Sequence, residues 1–162
     1  MALLRFLIII SISLTLAACD PYPKDPGHTL AQIQQLGMMQ VGVLEAPPWT
    51  NQENGGGIEA EIIQEFADSL NVAIQWHDLS MHKAVKKIKE GELDLVVGGI
   101  TADTPYAKEV GLTRPYLKTG DKKEDHHVMV VPRGENRFIT TLEKFLAEHQ
   151  NDIAAKYRGA HL

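Results

Sequence analysis

The chain has 162 residues, a net charge of −5 and 44% hydrophobic residues, with one cysteine and two tryptophans. Its acidic balance, with lysines interleaved among acids (Lys86-Lys87-Ile88-Lys89-Glu90, Lys122-Lys123-Glu124-Asp125), leaves no basic stripe and argues against a nucleic-acid partner. A body of roughly 135 residues beyond the first thirty is enough for one domain with its own core, without disulfides or a structural metal.

In chain order, a basic start, Met1-Ala-Leu-Leu-Arg5, precedes an apolar run from Phe6 to Ala18 broken only by Ser11, Ser13 and Thr15. The run is shorter than the ~20 residues that span a bilayer, so residues 1–18 read as a secretory leader. Leu16-Ala17-Ala18-Cys19 resembles the bacterial lipobox, which implies cleavage before Cys19 and acylation of its thiol. Multiple acyl chains would hold the protein firmly on a membrane. Asp20 behind the cysteine resembles an inner-membrane retention signal, so the expected location is the periplasmic side of the inner membrane. Residues 19–28, rich in proline, form the lipidated tether, and residues 29–162 the domain.

Apolar residues at helical spacing from Leu30 to Leu36, closed by Gly37, predict a short helix. Residues 40–45 alternate as a strand and stop at Pro47-Pro48. A glycine-rich loop, 51–57, leads to a helix over 58–70 carrying Ile58, Ile62, Ile63, Phe66 and Leu70. Then come a strand over 72–77, a helix capped by Ser80 and ended by Gly91, and the apolar run Leu93 to Ile100. That run is continuous enough for a strand buried on both faces of a parallel sheet. A strand over 126–131 and one long final helix from Phe138 to Tyr157 complete the chain. The βαβαβ order predicts a three-layer α/β fold with ligand loops at the strand C-terminal ends, where Glu45 to Trp49, His77 to Ser80 and Gly98 to Tyr106 collect.

Val41-Gly-Val…Pro47-Pro48-Trp49, Gly57-Ile-Glu-Ala-Glu61, Gly91-Glu-Leu-Asp94-Leu-Val-Val-Gly-Gly-Ile-Thr101 and Thr113-Arg-Pro115-Tyr116 together resemble the bacterial family 3 extracellular solute-binding proteins. These are the receptor components of polar amino-acid uptake systems. The resemblance implies a type II periplasmic-binding-protein-like fold, a mostly parallel sheet with flanking helices, and a small polar, amino-acid-like solute delivered to an ABC-type transporter. It also implies that Trp49 packs on the ligand, that Gly98 and Gly99 offer backbone groups, and that Thr101 donates a hydroxyl bond. Glu45 at the end of the first strand joins them. The family's carboxylate-clamping arginine falls at Tyr106 here, and tyrosine cannot form a bidentate ion pair; Arg114 is the candidate nearby. The chain has room for one lobe of the family's two, with the second replaced by Lys118 to Asp125, so any solute should bind weakly.

Two other chemistries find no support. His77, His82, His126 and His127 have no metal-site spacing, and Glu45, Glu61, Asp94 and Asp103 no fixed separation that would make an acid–base pair. No serine stands in a nucleophile elbow, and Cys19 is committed to the anchor, so neither an enzyme nor a cofactor is expected. The competing reading is a non-transport module that keeps the fold and uses the edge vacated by the second lobe to bind another protein or to sense.

Overall fold

A computed structural model describes residues 25–51 and 56–160; the leader, Cys19, Asp20 and most of the tether lie outside the described residues. The elements run α1 (Thr29–Leu36), β1 (Met38–Val43), α2 (Ile58–Ser69), β2 (Ala73–Asp78), α3 (Met81–Glu90), β3 (Leu95–Val97), β4 (Gly111–Leu112), β5 (Leu117–Lys118), β6 (His126–His127), β7 (Val130–Val131), α4 (Asn136–Glu148) and α5 (Gln150–Ala160). The main sheet has the order β2-β1-β3-β7-β4. β1 pairs in parallel with both β2 and β3, while β7 runs antiparallel to β3 and β4 over short registers. Most of the ladder is therefore parallel, as the βαβαβ order requires.

The sheet separates two cores, which makes three layers. On one face Ile58, Ile62, Ile63 and Phe66 of α2 meet Phe138, Leu142 and Leu146 of α4, Ile153 of α5, and Met39 and Val41 of β1. On the other, Ala84, Val85 and Ile88 of α3 cover Leu93, Val96, Val128 and Val130. β3 contributes to both faces, so its three residues are all buried, and it is the sheet's middle strand.

Three sequence expectations change. The strand expected over 126–131 is two strands: β6 joins β5 in a separate two-stranded sheet, and β7 joins the main sheet. Between them Val128 donates to the Ile100 carbonyl and Met129 to Thr113 Oγ1, so the chain changes partners and not direction alone. The single final helix is α4 and α5, broken at His149, whose Nδ1 sits 2.8 Å from the Phe145 carbonyl. Ser80 occupies the N-cap of α3 with extended backbone, but its side chain makes no capping bond.

The segment expected to replace a second lobe is a hairpin. β5 and β6 pair Leu117 with His127 and Lys118 with His126, and the intervening 119–125 closes through a 3₁₀ turn, Lys123–Asp125. The chain leaves and re-enters one lobe within eleven residues, 117 to 127.

Candidate functional site

β1 and β3 end side by side, because Leu44 donates to the Val97 carbonyl at 3.0 Å. At this end Gly98 and Gly99 take φ of +140° and +63°. A side chain at either would collide: a Cβ on Gly98 would lie 2.5 Å from Leu44 Cβ, and one on Gly99 2.6 Å from Trp49 Cδ1. Glycine is required here by both backbone conformation and close approach.

What holds this turn is Glu59. Fully buried in the first turn of α2, its carboxylate accepts the Gly98 N–H at 2.5 Å and the Gly99 N–H at 3.2 Å. The Tyr116 hydroxyl donates to the same carboxylate. Burial pushes the Glu59 carboxyl above its ordinary range, opposed by these three donors, and burial beside that carboxylate holds the Tyr116 phenol well above its own. Of the backbone groups expected to serve a ligand at Gly98 and Gly99, both N–H groups are taken by Glu59. Glu61, two residues on, reaches across to Lys156 of α5 at 2.7 Å. A signal for Glu59 was present. It stands in register with Ile63, Phe66 and Leu70, so its carboxyl falls on the apolar stripe of α2.

Trp49 is 8% exposed. Its ring stacks on Tyr157 of α5, with centroids 5.2 Å apart and planes at 17°, and lies tilted by 33° against His127, with centroids 4.0 Å apart. Tyr116 meets it edge-on at 6.5 Å. Burial lowers the basicity of His127, and its Nδ1 has no hydrogen-bond partner among the described residues. In this conformation Trp49 is a core residue and presents no free face to a solute.

The remaining expected residues separate. Thr101 spends its hydroxyl on Asp103 Oδ1 at 2.5 Å. Tyr106 lines a groove of about 360 Å³ beside α3, with His82, Val85 and Lys86. Arg114 is bound to Glu143 of α4, through Nε at 2.7 Å and its backbone N–H at 2.6 Å. Neither replaces the missing clamp. Asp94 accepts the Gln40 N–H at 2.8 Å, a strand-pairing role, and His77 sits 2.7 Å from Gln40 Oε1.

Glu45 and Gly98 line a common opening with Asp78, Leu79 and Ser80 of the same expected edge. It is a depression of about 640 Å³ at the C-terminal ends of β1, β2 and β3, whose other walls are Leu44, Met81 and Lys83. Two carboxylates, one ammonium and one hydroxyl surround it. Sequence reasoning placed His77 to Ser80 on this edge but missed Lys83, because only the crossing of α3 over the strand ends brings its side chain there.

Residues 39–159 match the bacterial extracellular solute-binding proteins, family 3, and the chain belongs to that family. Among solved structures it is similar to the arginine-bound form of domain 1 from TmArgBP, at 20% identity, TM-score 0.67, covering 75% of this chain and 98% of that one (Phe57Trp mutant). It is also similar to an ancestral cationic amino acid solute-binding protein, AncCDT-1, at 14% identity and TM-score 0.68, covering 82% and 99%. A third is the P235GK mutant of ArgBP from T. maritima, at 12% identity and TM-score 0.69, covering 82% and 99%. No curated protein sequence matches the chain. The fold is that of a type II periplasmic-binding-protein domain, present as a single lobe.

Proposed function

We propose that this protein is an exported lipoprotein, anchored through acylated Cys19 on the periplasmic side of the inner membrane, whose single lobe binds a small amino-acid-like solute weakly for an ABC-type transporter. Family membership supports solute binding, and the names of the similar structures point to amino acids. The observation that carries the reading is the depression at the strand ends. Lys83 can face a carboxylate, and Glu45 and Asp78 an ammonium, without the arginine that Tyr106 replaces. One lobe leaves the other side of the solute in water, so affinity is low. No step of covalent chemistry is assigned to it.

The test is a thermal-shift screen of the leaderless chain against amino acids, organic acids, polyamines and small peptides at about 10 mM, since a ligand at 100 times its dissociation constant stabilises by about 2.7 kcal/mol. A shift with zwitterionic solutes that is lost in Lys83→Ala and reduced in Glu45→Ala supports the receptor reading. No shift across the panel, with the protein folded, rejects it. A second reading, a protein-interaction or sensor module on the same fold, is favoured by one observation. Trp49, which the resemblance assigns to the ligand, and the N–H groups of Gly98 and Gly99 are engaged inside the lobe.

A further inference from the structure

The chain enters the lobe at a fixed point. The His28 N–H donates to the Asp25 carbonyl at 2.9 Å, which closes a turn. Glu135, 3% exposed at the N-cap of α4, accepts the Gly27 and Thr29 N–H groups at 2.6 and 3.0 Å. Gly27 comes so close that a Cβ there would lie 2.9 Å from Glu135 Oε1. A buried carboxylate bonded to two backbone amides fixes the chain from this turn onward. Gly27 and Thr29 share a hollow with Leu93, Asp94 and Pro132. Leu93 and Asp94 precede β3 and Pro132 follows the antiparallel β7, so the hollow is the base of the sheet. The solute depression, walled by Leu44, Glu45 and Gly98, lies at the opposite end, beyond Val43 and Val97. β1 alone, six residues long, sets the two ends about 20 Å apart.

We propose that the base of the lobe is its bilayer-facing surface and that the solute depression faces away from the membrane, an attitude imposed by the fixing of the chain on Glu135. The inference rests on the acylation of Cys19 proposed above and on no property of the solute. Acyl chains hold Cys19 at the lipid headgroups. Asp25 stands six residues beyond Cys19, and a chain of that length reaches at most about 21 Å. Turning the depression to the bilayer would raise the base by the roughly 20 Å of β1 plus the loops beyond Val43, more than the tether spans. The anchor itself therefore brings the lipid surface to the base. Charge adds little to the contact, because the base is mixed: Lys89 is paired with Glu109 at 2.6 Å. Solutes and partners then reach the depression from the periplasm. A transporter in the same membrane meets it only when the contact at Glu135 opens and frees the ten residues from Cys19 to Thr29, a reach of about 35 Å.

The lipidated chain, purified from membranes and placed in phosphatidylcholine vesicles, tests the attitude. Cys19 is the one cysteine, so acylation leaves no free thiol, and Gln32→Cys at the base or Ser80→Cys at the depression takes a single dye. Both positions are exposed. Lipids carrying a nitroxide on the headgroup quench at short range, and the dye at residue 32 should be quenched several-fold more than the dye at residue 80. An insert of about twelve Gly and Ser residues between Asp20 and Pro21 lengthens the tether without touching the lobe, and should bring the two signals together. Glu135→Ala, which frees the turn, should narrow the gap in the same direction. Equal quenching at the two positions in the parent chain, or a gap that the insert leaves unchanged, overturns the proposal. A parent chain that does not partition into the vesicles overturns it together with the anchor, whereas the solute screen can fail with the attitude intact.

Discussion

Replacing Glu59 is the sharpest perturbation of the lobe. In Glu59→Ala the Gly98 N–H, the Gly99 N–H and the Tyr116 hydroxyl lose their common acceptor. A buried donor left unpaired costs about 1–3 kcal/mol, and Gly99 is near enough to the surface for water to serve it, so the two remaining donors give an expected loss of about 2–6 kcal/mol. For a domain of this size that is a fall of roughly 5–20 °C in melting temperature. Glu59→Gln separates charge from hydrogen bonding. Its amide oxygen can still accept both glycine amides, and its NH2 can donate to the tyrosine oxygen, so at pH 5 it should lie within about 1–2 kcal/mol of the parent. Because burial raises the folded-state pKa of Glu59 above 4.5, the folded protein binds more protons than the unfolded chain just above that pH. The parent therefore loses stability as pH rises from 4.5 through the folded value, and Glu59→Gln does not. Urea denaturation of both proteins from pH 4.5 to 8 reads the difference. It should move in favour of Glu59→Gln as pH rises; a move the other way would refute the ranking of burial over the three donors, and an Ala loss below 1 kcal/mol would refute the central role of the carboxylate.

Trp49→Ala should cost about 3–5 kcal/mol, as for a buried aromatic, with loss of the near-ultraviolet signal from its packing against Tyr157 and His127; an unchanged denaturation midpoint would return the ring to the ligand's side. At the base of the lobe Glu135 accepts the Gly27 and Thr29 N–H groups at 2.6 and 3.0 Å. Burial and the neighbouring Glu135 carboxylate push Asp25 up to about 6. Carbon-detected NMR titration should show Asp25 titrating near 6 in the parent and lower in Glu135→Gln, where burial remains as the cause of its rise; coincident midpoints would show that the two carboxyls do not interact. Asp25, raised from 3.8 to about 6, contributes stability that is lost as pH rises through that window, while Glu135, held below its ordinary value, contributes in the opposite sense.

Local patterns in the chain determined which elements exist. The stripe Ile58, Ile62, Ile63, Phe66 could only be an amphipathic helix, the run Leu93 to Ile100 required a strand covered on both faces, and the ordered motifs around them were enough to name the family. Boundaries set by long-range pairing were not legible. Residues 126–131 look like one strand because alternation is a local property, but which sheet each half joins depends on Thr101, Ile100 and Thr113, contributed by distant segments. The site shows the same division. Trp49 and the Gly98-Gly99 turn do meet, the ring lying close against Gly99. Sequence could not say that α5 would bring Tyr157 onto the ring, that Glu59 and not Glu61 would turn inward, or that Lys83 would reach the strand ends. Those outcomes depend on how helices cross the sheet, and two carboxylates on one helix differ in fate by the 100° per residue that separates a buried face from a wet one.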